Sequence, residues 1–135
     1  MIIGIGVDLV DIRRIKRILL RFGERFTYRC FTDVERLRAD KMKWRYGSYA
    51  KAFAAKEACA KALGLGISAG VTWKDLCVIY DCNGKPHMKL TGSALLYLHR
   101  LTPPNTVPQI DLSLADEYPL IQAFIILSCR HNGSA

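Results

Sequence analysis

The chain opens on an apolar, β-branched run, IIGIGVDL over residues 2–9, of the kind that forms a buried strand. The period then changes. Ile12, Ile15, Ile18, Leu19 and Phe22 recur at helical spacing, with Asp11 placed to cap and Gly23 to stop, which predicts a helix over Ile12–Phe22. Arg14, Arg17 and Arg21 recur at spacings of three and four and share another face of that helix. A highly charged helix is predicted over 33–43 and a third over Ser48–Leu63. From Trp73 the pattern becomes strand-like. Leu76–Tyr80 and His87–Leu90 flank Asp81–Pro86, whose Asn83-Gly84 pair signals a hairpin. Gly92–Leu101 returns to a helical period, and Thr102-Pro103-Pro104-Asn105 is the clearest loop. Two more strands, Gln109–Leu114 and Leu120–Leu127, are joined through Asp116–Pro119, and 129–135 read as a frayed tail. Helices early and antiparallel strands late predict an α+β fold, a single domain over 1–135 with helices on a small, mainly antiparallel sheet.

Composition narrows the setting. A chain of 135 residues, half of them hydrophobic, is one domain with a real core. No apolar run approaches the roughly 20 residues needed to span a bilayer. The N-terminus has no basic leader, and Asp8 and Asp11 interrupt it, which argues against a signal peptide. Five cysteines, odd in number and without a Cys-x-x-Cys pair, predict buried reduced thiols and a cytosolic setting. The net charge of +8 sits in one half: residues 1–61 hold fifteen Lys/Arg against seven Asp/Glu, and residues 62–135 hold five of each. Such a field draws nucleic acid, anionic membrane, an acidic protein or a phosphorylated ligand. The aromatic residues are not interleaved with the basic ones as a base-stacking surface requires, which argues against nucleic acid.

The candidate chemistry lies in two short stretches. Gly4-Ile5-Gly6 after a strand suggests dinucleotide binding but lacks the third glycine, and Asp8 would face the pyrophosphate. Gly64–Gly70 lacks the Gly-Lys-Ser/Thr ending of a phosphate-binding Walker A loop. Asp8 itself ends an apolar strand, as a cap, a solvated strand end or a ligand. Glu57 reads either as an exposed acid paired with Lys61 or as part of a site. Helical geometry puts Ala50, Ala54, Glu57 and Lys61 on one side, where small residues leave room for a ligand beside acid and amine. Two carboxylates and a lysine suit Mg²⁺ with a substrate phosphate. Gly64 and Gly66 either admit such a ligand or end the helix. None of His87, His99 and His131 stands in a catalytic pattern. Asp111 and Ser113 alternate onto one face of their strand, and Ile110, Leu112 and Leu114 onto the other.

Taken together, these stretches resemble the holo-acyl-carrier-protein synthases, the short bacterial class of 4′-phosphopantetheinyl transferases. GIGVDLVDIRRI, RFTYRCFTDVE, FAAKEACAKALGLG, NGKP and IDLSLADEYPLIQAFIIL are similar to five blocks of that family, in order from Ile2 to Leu127. The resemblance implies Mg²⁺-dependent transfer of 4′-phosphopantetheine from coenzyme A to a serine of an acidic apo-acyl carrier protein, releasing adenosine 3′,5′-bisphosphate. By that resemblance Asp8 and Glu57 match magnesium ligands, and Lys61 a pyrophosphate-binding lysine. Gly64, Gly66, Lys85 and Pro86 match the coenzyme border, and Arg14, Arg17 and Arg21 the carrier-binding helix. It also implies a cytoplasmic homotrimer with sites between subunits, in fatty acid biosynthesis. One position departs. Asp111 stands where many members carry histidine, and an aspartate is ordinarily a weaker base than an imidazole. Asp111 then orients a water, acts as a perturbed base, or does neither. The competing readings are a non-catalytic carrier-protein binder and a basic anion- or nucleic-acid-binding domain.

Overall fold

A computed structural model describes residues 1–65 and 71–133. The elements run β1 (Ile2–Asp11), α1 (Ile12–Phe22), α2 (Glu24–Cys30), α3 (Asp33–Lys41), α4 (Arg45–Ala62), a 3₁₀ turn at Trp73–Asp75, β2 (Leu76–Tyr80), β3 (Pro86–Leu90), α5 (Gly92–Leu101), β4 (Thr106–Glu117) and β5 (Leu120–His131). β1, β5 and β4 form an antiparallel sheet in that order, and β2–β3 a separate hairpin. The fold is α+β, as the pattern predicts.

α4 supplies the centre of the core and packs on β1 and β5. Tyr49, Ala50, Ala54, Ala58 and Cys59 of the helix and Ile121, Ala123, Ile125 and Leu127 of β5 are all buried. The alanines were expected to clear space for a ligand; here protein takes most of that space. A Cβ at Gly6 would lie 1.8 Å from the Ala58 carbonyl oxygen, and one at Gly4 2.3 Å from that of Ala62. Strand and helix therefore touch backbone to backbone, and small residues on both sides are what permits it. The Gly-Ile-Gly stretch has its explanation in packing.

Several elements differ from the sequence reading: β1 runs on to Asp11, α3 ends at Lys41, α4 begins at Arg45 rather than Ser48, and three further differences have a clear cause. α2 was not anticipated, because ERFTYRC has too few turns to show a period. β4 begins at Thr106 and ends at Glu117, longer than Gln109–Leu114, because flanking positions such as Val107, Asp116 and Glu117 still pair with β5. Residues 129–131, expected in the frayed tail, belong to β5: Cys129 is buried, and its amide and carbonyl bond the Met1 carbonyl and amine at 2.8 and 2.9 Å. The cysteines are free as predicted, yet Cys77 is only half-buried and Cys82 is exposed in the β2–β3 turn.

Candidate active site

Asp11 caps α1 as predicted, its carboxylate accepting from the Arg13 amide at 2.9 Å. The strand before it alternates. Ile5, Val7 and Leu9 face outward and are exposed, whereas Gly6, Asp8 and Val10 face α4. Asp8 thus points at the helix rather than into water. The next turn of α4 brings Lys61 to it: the ammonium donates to Asp8 Oδ1 at 3.0 Å and to the Val7 carbonyl at 3.1 Å. Lys61 therefore pairs across to β1 and not back along its helix to Glu57. An ammonium has three N–H groups, so one remains for a further acceptor.

Glu57 lies one turn before Lys61 and is half-buried. Burial and the nearby Asp8 carboxylate push its carboxyl above the ordinary value, and Lys61 and Arg14 pull it part of the way back. Two facing carboxylates in a partly desolvated corner are the arrangement a hard divalent cation relieves. Magnesium is commonly held by one or two carboxylates, with water and substrate phosphate oxygens completing its octahedron. Asp8 and Glu57 fit that donor set. Among the described residues no three potential ligands from His, Cys, Asp and Glu cluster, so any further ligands would come from water and substrate. Gly64 has positive φ and ends α4 in a Schellman motif, with Leu65 N–H to Ala60 O and Gly64 N–H to Lys61 O, both 3.0 Å. Gly66 lies outside the described residues.

The remaining candidates fall elsewhere. Lys85 and Pro86, at the β2–β3 turn, line an open cleft of about 360 Å³ with Lys51, Tyr80, Gly84 and residues Leu112, Ser113 and Leu114 of β4. β4 and β1 are the two outer strands of the sheet, with β5 between them, roughly 10 Å apart. Asp111 is exposed and accepts from the Gln109 amide at 3.0 Å. It pairs with Ile126, which pairs with outward-facing Ile5; Asp8 pairs with Ala123, on the helix side. Within one chain the sheet therefore separates Asp111 from Asp8 and Glu57.

Arg14, Arg17 and Arg21 are exposed on α1 as predicted. Arg14 also sits over the Phe53 ring, 5.6 Å from its centroid, at the edge of the carboxylate pair. The end of the α1 stripe differs from expectation. Phe22 is exposed and Ile18 packs half-buried at the edge of the core, and both line a cleft of about 470 Å³ with Phe26, Trp73, Cys30, Arg25 and Arg29.

Sequence reasoning missed Lys56 and the structural part of Glu35. Lys56 is fully buried, its ammonium 2.5 Å from Glu35 Oε1 and 2.7 Å from the Cys30 carbonyl. Burial pulls its pKa down and the Glu35 carboxylate opposes that. The signal present in the sequence was Thr32 three residues before Glu35, a capping box, which the structure forms.

Residues 4–117 match the family model described as the 4′-phosphopantetheinyl transferase superfamily. The chain is 56% identical over 127 residues to a holo-[acyl-carrier-protein] synthase of Rhizobium leguminosarum bv. trifolii, covering 94% of this chain and 95% of that one. The fold superposes on the crystal structure of the Neisseria meningitidis holo-[acyl-carrier-protein] synthase with a TM-score of 0.82 at 36% identity, over 95% and 99% of the two chains. It also matches the Bacillus anthracis synthase in complex with CoA (3′,5′-ADP), at TM-score 0.75 and 30% identity over 94% and 96%. A capped strand-to-helix unit that presents Asp8 to Glu57 and Lys61, in a chain so similar to these proteins, leads to one assignment: the chain belongs to the 4′-phosphopantetheinyl transferase superfamily, as an enzyme of its holo-[acyl-carrier-protein] synthase family.

Proposed function

We propose that this synthase transfers 4′-phosphopantetheine from coenzyme A to a serine of an acidic apo-acyl carrier protein, with Mg²⁺ as cofactor and adenosine 3′,5′-bisphosphate as the leaving product. The observation that carries the reading is the convergence of Asp8, Glu57 and Lys61. When bound, magnesium would neutralise charge on the coenzyme pyrophosphate. Asp8 and Glu57 would hold it from two sides, and the third N–H of Lys61 would point a fixed positive charge at the same oxygens. The serine oxygen attacks the β-phosphorus in line, the bond from that phosphorus to the bridging oxygen breaks, and the adenosine bisphosphate leaves. Positioning and electrostatics do most of the work, as is usual for phosphoryl transfer. The CoA complex of the Bacillus anthracis relative supports the choice of donor.

The carrier would dock on α1. Arg14, Arg17 and Arg21 present positive charge, and the adjoining cleft between Phe22, Phe26 and Trp73, flanked by Arg25 and Arg29, offers apolar contact beside it. An acidic carrier with some exposed apolar residues fits that combination.

The working form would be a homotrimer with sites between subunits. Two observations support it. The outer face of the sheet exposes Ile5, Val7 and Leu9 of β1 beside Phe124 and half-buried Ile126 of β5, a contiguous apolar surface of the kind that marks an interface. The residues expected at the coenzyme are also split, with Lys61 and Gly64 beside β1 and Lys85 and Pro86 beside β4, and a neighbouring subunit could reunite them. In that arrangement Asp111 would serve the site of another chain, as base or as a water-orienting group. Gly64 and Gly66 would border the coenzyme. No helix among the described residues is long and apolar enough to cross a membrane, and we place the reaction in the cytoplasm, in fatty acid biosynthesis.

The test is direct. The protein is incubated with apo-acyl carrier protein, coenzyme A and Mg²⁺, and the intact mass of the carrier is recorded. A gain of one phosphopantetheine that EDTA prevents is expected. No gain, where a known transferase modifies the same carrier, would overturn the reading in favour of a non-catalytic carrier binder.

A further inference from the structure

We propose that the buried Lys56–Glu35 pair is a positioning device: it sets the rotation of α4 about its axis and so holds Glu57 against Asp8. The inference rests on reading Asp8 and Glu57 as metal ligands.

Lys56 and Glu57 are consecutive on α4 and leave the helix roughly 100° apart. Lys56 goes into the core. Its ammonium bonds the Cys30 carbonyl, at the last residue of α2, and Glu35 Oε1. Glu35 is itself tied to backbone on both oxygens, taking the Thr32 amide on Oε1 and the Val78 amide on Oε2, each at 2.8 Å. One side chain of α4 is thereby fastened to α2, α3 and β2 together. On the side that faces β1 the side chain that crosses is Lys61, an exposed lysine reaching Val7 and Asp8 on a flexible stem, where Lys56 is wholly enclosed. Beneath it the contact with β1 is a close approach of alanine and glycine backbone. Such a surface fixes distance better than rotation.

The geometry needed is strict. A rotation of about 20° moves a group 5–6 Å from a helix axis by about 2 Å. Magnesium requires near-ideal octahedral distances of about 2.0–2.1 Å. Stability alone is a poor reason for the pair, because apolar residues of similar volume replace buried ion pairs at no net loss in many cases; register is their best-attested use. The pair also spans α2, near the basic cleft, and β2, which leads into the Lys85–Pro86 turn. It therefore fixes the carboxylates relative to both.

The experiment uses the full chain and Mn²⁺ as the metal probe, without coenzyme or carrier. Free Mn²⁺ is measured by electron paramagnetic resonance for the wild type, for the neutral double variant Lys56→Met with Glu35→Gln, and for Glu57→Gln as control. The double variant is expected to fold, to melt close to the wild type and to bind Mn²⁺ at least tenfold more weakly. A folded double variant with wild-type Mn²⁺ affinity overturns the proposal. Glu35→Gln alone is the second variant; it keeps nearly the same volume and one carbonyl acceptor, so one of the two backbone amides loses its partner. If folded it should lose several-fold in Mn²⁺ affinity, and wild-type Mn²⁺ affinity in a folded Glu35→Gln protein would overturn the proposal. Should Glu57→Gln itself bind Mn²⁺ normally, the metal assignment falls instead, a result distinct from failure of the positioning.

Discussion

Glu57 is harder to ionise in the folded chain than in the unfolded one, through burial and the Asp8 charge. The folded state therefore holds its proton more tightly, and stability falls as pH rises from the ordinary glutamate value through the raised one. Metal-free protein should show this loss in melting curves taken upward from about pH 4, and Mg²⁺ should restore the stability near neutrality by binding the folded state. Glu57→Gln should melt at or above the wild type without metal, gain nothing from Mg²⁺, and lose roughly 10²-fold or more in transfer rate. A Tm that still rises with Mg²⁺ in that variant would remove Glu57 from the site. The arginines separate by position. Arg21→Glu should raise KM for the carrier and leave KM for coenzyme A unchanged. Arg14→Glu should also lower kcat, because its charge lies beside Glu57. Equal effects of Arg21→Glu on both KM values would argue against a carrier contact. At this scale the sequence was informative about residue type. Asp8, Glu57 and Lys61 were legible as an acid–acid–amine set, but their partners were not: Lys61 bonds Asp8 across 53 positions, a pairing that only folding creates.

Among the elements, α4 and β1 form the unit on which the site stands. Gly6→Ala would drive a Cβ into the Ala58 carbonyl and the Ala62 amide, both backbone atoms with little room to move. Overpacking of this kind costs about 3 kcal/mol or more when backbone must shift. Denaturant unfolding should show that loss, and any surviving protein should bind metal more weakly because strand and helix have separated. A Gly6→Ala protein of wild-type stability would mean that the helix–strand spacing is not set by this contact. Element types followed from the periodicity of α1, α4 and β5, and from the Asn83-Gly84 turn. Short α2 and the polar ends of β4 did not, because their residues satisfy no long pattern and are held by neighbours.

For the whole molecule the expectation is an assembly whose sites need two chains. Glu57→Gln and Asp111→Ala proteins, each inactive, should regain activity when mixed under conditions that exchange subunits, read by carrier mass. Mixtures that stay inactive would place both residues in the site of one chain, and a fully active Asp111→Ala protein would release Asp111 from the chemistry altogether. The basic half of the chain adds a second expectation. Rising salt should raise KM for the acidic carrier by screening the field around α1, with a screening length of about 10 Å at 0.1 M. A salt-independent KM would deny a steering role to those arginines.

The sequence by itself determined the α+β class, most element positions, the family and the acid–acid–amine set, because periodicity, caps and short motifs act over a few residues. Tertiary structure decided the rest. It turned Gly4, Gly6 and the alanines of α4 into a backbone contact, and it buried Lys56 on Glu35 while leaving its neighbour Glu57 beside Asp8. It also set Asp111 on the far face of the sheet. Each of these depends on which segments meet, and a strand's alternation or a helix's stripe says which face is buried without saying against what.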